Sequence, residues 1–184
     1  MKKKRLKELK TGFFVDILIR YAILIILALP NFWLFYFVFT PLTVYFVYFL
    51  LNLFFNASVS GTTINIIDYV PIEIIGACVA GSAYYLLSIL NLSTPNINLQ
   101  KRVKMILFSF FFFLIINVLR IFLLGILLVN GSSFFDITHK LFWYIGSTLF
   151  VVGIWFAEVK CFKIKEIPFY SDIKLLYKNT RIEK

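Results

Sequence analysis

A thiol, a guanidinium and an imidazole are the groups in this chain from which nucleophilic chemistry can be assembled. The thiol is Cys78, in Gly76-Ala77-Cys78-Val79-Ala80-Gly81-Ser82. The guanidinium is Arg120, in Asn117-Val118-Leu119-Arg120-Ile121, and the imidazole is His139, the only histidine, in Asp136-Ile137-Thr138-His139. A thiol attacks as thiolate, and a nearby imidazole can take its proton. A guanidinium can stabilise an oxyanion or lower the thiol pKa. Each residue also has a plainer reading: a packed apolar cysteine, a structurally paired arginine, an interfacial histidine. One His and one Cys cannot close a zinc site, so neither a metal nor another cofactor is expected. The chemistry depends on whether the chain brings the three together.

The elements that must do so are apolar helices. Hydrophobic residues make up 61% of the 184 residues and charged residues 15%, with a mean hydropathy of +0.89. Soluble domains are about 45–50% apolar, so a single soluble core is excluded. The 23 Phe and 10 Tyr exclude disorder. Spanning a bilayer takes about 20 apolar residues, and five segments qualify: Phe13–Leu29, Phe32–Phe55, Ile74–Leu90, Met105–Val129 and Thr138–Ala157. No small-residue cleavage site follows the first, so it is read as retained. Pro30-Asn31 separates it from the second, and Pro41 is expected to kink the second. The fold class is therefore an all-α polytopic membrane bundle of about five to six hydrophobic helices. It forms one integral domain: a basic N-terminus over 1–12, the bundle over 13–157 and a basic tail over 158–184.

The net charge of +10 belongs to topology. Of the 19 Lys and Arg residues, 16 cluster at 2–10, 101–104 and 160–184, which reads as cytoplasmic anchoring rather than a nucleic-acid face. Anionic headgroups suit the same clusters. With 101–104 inside, Met105–Val129 runs outward, 130–136 lies outside and Thr138–Ala157 returns inward. Ile74–Leu90 then runs from outside to inside, and the outer loop spans 56–73. The basic N-terminus also belongs inside, yet two apolar segments precede the outside loop where an odd number of crossings is needed. Within the loop, Val59-Ser60-Gly61-Thr62-Thr63 is turn-like and Thr63-Ile64-Asn65-Ile66 alternates as a half-buried strand does, predicting a short β-like outer element before the third segment. The Phe-rich run 108–113 is read as lipid-facing or packing surface.

Three basic residues fall outside the clusters: Arg20, Arg120 and Lys140. Arg20 follows Asp16 by four residues and is expected to pair with it. Arg120 lies nine residues before Val129, roughly 14 Å of helix rise below the outer end, and charges at such depth are rare and usually functional. Asn117 shares its helix face. Asp136 either orients His139 or caps its helix, with Thr138 as the competing cap. Cys78 and Cys161 fall on opposite sides, which argues against a disulfide. The topology thus puts Cys78, Arg120 and His139 in the outer halves of three consecutive segments, a workable acyl-transfer set.

This order of motifs resembles the exosortase/archaeosortase family of polytopic membrane transpeptidases, over about residues 50–157. The matching residues are Ala77-Cys78-Val79-Ala80-Gly81, Asn117-Val118-Leu119-Arg120-Ile121 and Asp136-Ile137-Thr138-His139, with Val59–Ile64 and Ile72–Ile74 similar to the stretch ahead of the family's Cys. Many members carry Cys-Ser-Gly, whereas here Gly81 follows Cys78 by three. The resemblance implies that Cys78, Arg120 and His139 are catalytic, with Asn117 and Asp136 in support. It also implies a cysteine peptidase of the cell membrane with its site facing outside. The implied partners are secreted proteins ending in a short motif, an apolar helix and a basic tail, with a membrane lipid as possible acceptor. A small transporter, channel or structural subunit, with Arg120 lining a polar pathway, is the alternative.

Overall fold

The computed structural model describes residues 2–29, 31–66 and 71–181. Each expected apolar segment forms helix, with shifted ends. Phe13–Leu29 is the second half of α1 (Lys2–Ala28), and Phe32–Phe55 becomes α2 (Trp33–Asn52), which runs through Pro41. Ile74–Leu90 is split into α3 (Gly76–Val79) and α4 (Gly81–Leu92). Met105–Val129 begins earlier, as α5 (Leu99–Val129). Thr138–Ala157 becomes one continuous helix from Phe135 to Cys161. It consists of α6 (Phe135–Leu141), a π-helical turn (Phe142–Gly146) and α7 (Ser147–Cys161). A final amphipathic helix, α8 (Tyr170–Arg181), follows.

The outer element is a three-stranded antiparallel sheet of β1 (Ala57–Ser60), β2 (Thr63–Ile66) and β3 (Ile72–Glu73). Ser60 pairs with Thr63 across a tight turn, where Gly61 takes a positive φ of 62° at no steric cost. The alternation in β2 places Ile64 and Ile66 in the core. On the other edge Thr63 pairs with Glu73.

Among the described residues, α2, α5 and the Phe135–Cys161 helix are long and apolar enough to cross a membrane, and Gly76–Leu92 is a shorter apolar helix. Arg20 of α1 donates to the carbonyl of Leu92 at one end of α4 (2.8 Å). Phe35 of α2 packs on Tyr84, and Leu51 lies against Gly125 near the far end of α5. The chain therefore advances once, from the basic end to the sheet end, between residues 20 and 51.

The helices meet around Tyr84, which stacks on Phe39 (3.7 Å between centroids) and takes Phe110 and Phe113 edge-on. The Phe-rich run is thus divided by helix period: Phe110 and Phe113 pack inward while Phe111 and Phe112 are exposed.

The basic end is more ordered than loop anchors require. Asn98 caps α5 by accepting from the backbone N–H of Lys101 (2.8 Å), so the 101–104 cluster is helical. Arg102 is buried and donates to the carbonyls of Asn91 (2.6 Å), Leu92 (3.2 Å) and Thr94 (3.0 Å), the carbonyls at and just past the C-terminal end of α4. Glu158, one residue past the expected end of the last segment, is fully buried and accepts from Asn91 Nδ2 (3.2 Å).

Arg20 pairs with Asp16 as the spacing predicted (3.0 Å), but its buried partner is Asp172 of α8, at 2.9 and 3.1 Å. Exposure decides which pair matters. The Asp16 side chain is 60% exposed and that of Asp172 is 2%. Exposed pairs contribute about 0–1 kcal/mol, whereas removing one partner of a buried pair costs about 3–5 kcal/mol. Asp172→Ala is therefore expected to lower thermal stability in detergent sharply and Asp16→Ala hardly at all. Equal losses would contradict this ranking.

Candidate active site

Cys78 is positioned by a break in a helix. Ala80 adopts a left-handed conformation (φ 59°, ψ 50°), which ends α3 and starts α4. A non-glycine residue there costs roughly 1–2 kcal/mol, so packing must hold it. Part of that packing is Tyr36 of α2. A Cβ on Gly81 would lie 2.8 Å from its ring, so this approach requires glycine.

The break leaves the carbonyls of Cys78 and Val79 free of the helical ladder, and α5 fills the gap. Asn117 Nδ2 donates to the Cys78 oxygen (2.9 Å) and more weakly to that of Val79 (3.4 Å). Arg120 Nη2 donates to the same Cys78 oxygen (3.1 Å), and Nη1 donates to Ser147 Oγ of α7 (3.2 Å). The side chains three residues apart on α5 thus clamp one carbonyl, as their shared face predicted.

Arg120 is 9% exposed. Among the described residues it has no carboxylate partner, and its buried Nε–H has no acceptor. A guanidinium carries five donors in a fixed fork, so donors remain for an anionic group.

His139 comes from α6 and is half-buried. Its ring stacks on Phe135 (centroids 5.6 Å, 14° between planes) and meets Trp143 edge-on (6.2 Å). Cys78, Arg120 and His139 all line one cavity of about 270 Å³. Its other walls are β3 with Pro71, Ile72 and Glu73, an aliphatic face of α5, and the aromatic rings of Phe135, Phe142 and Trp143. The half-buried thiol and the imidazole face this common space with no direct hydrogen bond between them. Catalytic hydrogen bonds are often loose until substrate binds.

Asp136 is placed elsewhere. It is exposed in the first turn of α6 and lines a separate small hollow with Ser132 and Ser133. Neither it nor Thr138 caps the helix, whose cap position is Phe134 with no side-chain hydrogen bond. Among the described residues no group of His, Cys, Asp and Glu has the arrangement to hold a metal ion.

Ser147, Glu73 and the aromatic wall were not singled out from the sequence. Ser147 carried one usable signal, a hydroxyl inside an apolar segment, since such groups tend to face a helix bundle's interior. The π-helical turn between His139 and Ser147 has no pattern at the sequence level; such turns are frequent at functional sites. No protein-family model, curated protein or solved structure matches this chain.

Proposed function

We propose that this chain is a polytopic membrane cysteine transpeptidase that cleaves a C-terminal sorting signal of secreted proteins at the outer face. The observation that carries the reading is the cavity into which three separate segments deliver Cys78, Arg120 and His139. The basic clusters at 2–10, 101–104 and 160–184 support placing this cavity on the outer side.

In the proposed reaction the Cys78 thiolate attacks the scissile carbonyl carbon, and the proton leaves with His139. The C–N bond then breaks, the departing amine takes that proton from His139, and a thioester remains on Cys78. An amine or hydroxyl acceptor, such as a lipid headgroup, attacks the thioester, loses its proton to His139 and returns Cys78 as thiol. Arg120 supplies N–H donors to the oxyanion that forms twice along this path. Asn117 fixes the Cys78 backbone and, with it, the sulfur. The Phe135, Phe142 and Trp143 rings exclude water, which favours aminolysis over hydrolysis of the thioester. Asp136 stays with the first turn of α6, where a carboxylate suits the helix dipole.

The alternative class, a transporter or structural subunit, needs Arg120 but neither Cys78 nor His139. His139→Ala separates the two. The proposal predicts that processing of secreted proteins bearing a motif, an apolar helix and a basic tail falls by about 10²–10⁴-fold. Mass spectrometry of their C-termini reads this directly, and unchanged processing would remove His139 from the mechanism.

A further inference from the structure

The second surface with an unassigned role is α8, at the opposite end of the bundle from the cavity. Its N-terminal turn is fixed in place. Asp172 pairs with Arg20, Tyr21 donates to the same carboxylate (3.3 Å), and the backbone N–H of Phe169 donates to the carbonyl of Ser93 (3.1 Å). Ser93 follows the last residue of α4, and the adjacent carbonyls are those held by Arg102 in the first turn of α5. Apolar sequence in α5 resumes at Met105, so this level is where the bundle changes from apolar to charged.

At that level α8 keeps one apolar stripe exposed. Tyr170, Ile173 and Tyr177 recur at i, i+3 and i+7, which puts them on one helical stripe, and they are 58%, 64% and 63% exposed. The basic groups Lys163, Lys165 and Lys174 are exposed on the same segment. An apolar stripe with tyrosines, flanked by lysines and fixed at the boundary of an apolar bundle, has the make-up of a helix lying in a membrane interface. Water is a poor partner for the stripe and a neutral protein groove is a poor partner for the lysines. A bilayer surface carrying negative headgroups fits both.

We propose that α8 is an interfacial helix that binds anionic phospholipid at the basic end of the bundle. This rests on the membrane-spanning part of the reading above and is independent of the transpeptidase chemistry.

The test uses the full-length chain in nanodiscs of phosphatidylcholine alone and of phosphatidylcholine with phosphatidylglycerol, followed by hydrogen–deuterium exchange over residues 165–181. Anionic lipid is expected to slow exchange of the 173–181 amides by roughly tenfold or more, since each Lys near an anionic surface adds favourable free energy. Added salt should erase the difference by screening. The triple variant Lys163→Glu, Lys165→Glu, Lys174→Glu should lose the lipid dependence. Equal exchange in both discs, or a difference that survives charge reversal, would overturn the proposal. The wild-type comparison requires no variant to fold. Failure of the spanning reading shows separately, as a chain that stays soluble without detergent or lipid.

Discussion

Replacing Cys78 with alanine is expected to bring C-terminal processing of the secreted substrates down to background while the protein still accumulates in the membrane. The two halves of this expectation have separate physical causes. The Cys78 thiol makes no hydrogen bond among the described residues, and its contribution to the fold is through the backbone carbonyl held by Asn117 and Arg120. Alanine keeps that carbonyl and removes only a half-buried sulfur, so stability should change by about 1 kcal/mol or less. Chemistry is different, because no other thiol is available at this end: the second cysteine, Cys161, is exposed at the end of α7, within the basic tail. Full loss of processing with normal accumulation assigns a chemical role to the sulfur. Normal processing would reduce Cys78 to a packing residue and favour the transporter class.

Arg120→Lys and Arg120→Gln are expected to lower processing by about 10²–10³-fold, the usual loss when one oxyanion donor is removed. Lysine should not rescue. A guanidinium spans from the Cys78 carbonyl to Ser147 Oγ, bridging α3, α5 and α7 with a fixed fork, and still has N–H groups left over. An ammonium on a flexible stem holds the charge without that geometry. Glutamine preserves a hydrogen bond without the charge, so similar losses in both variants would show that geometry and charge are each required. Wild-type processing in the lysine variant would show that only a positive charge is needed near the cavity. Both variants leave Asn117 on the Cys78 carbonyl, which keeps the α3–α5 contact in place.

The candidate site was legible from the sequence because its residues are rare where they occur. An arginine deep within an apolar run is costly enough to stand out unaided, and the basic clusters were sufficient to put Cys78 and His139 at the same end. Spacing also placed Asn117 beside Arg120, and the structure finds both on one carbonyl. The hidden parts depended on long-range contacts. The Asp172 partner of Arg20 lies 152 residues away, beyond any local pattern, and the nearby Asp16 offered a sufficient local explanation. Asp136 and His139 are three apart, a spacing that permits contact without requiring it. The break at Ala80 was invisible because alanine is ordinarily a helix former, and the neighbours that surround the break, Tyr36 on Gly76 and Gly81 and Asn117 on the Cys78 carbonyl, come from distant parts of the chain. Arg102 looked like one of three anchors, but only its partners, the carbonyls at the C-terminal end of α4, distinguish it from Lys101 and Lys104. The apolar run Phe13–Leu29 carries the same lesson: length marks it as a span, but the contacts of its Arg20 with the Leu92 carbonyl and Asp172 have no local pattern.

The proposed reaction depends most on an acyl group being carried by Cys78. The direct measurement is mass spectrometry of the protein isolated rapidly from cells that express a substrate with the C-terminal signal. A peptide terminating at the cleavage position should be found on Cys78 in wild type, be released by hydroxylamine as a thioester is, and be missing in Cys78→Ala. Processed substrate with Cys78 never acylated, or the same adduct on Cys161 alone, would contradict the account.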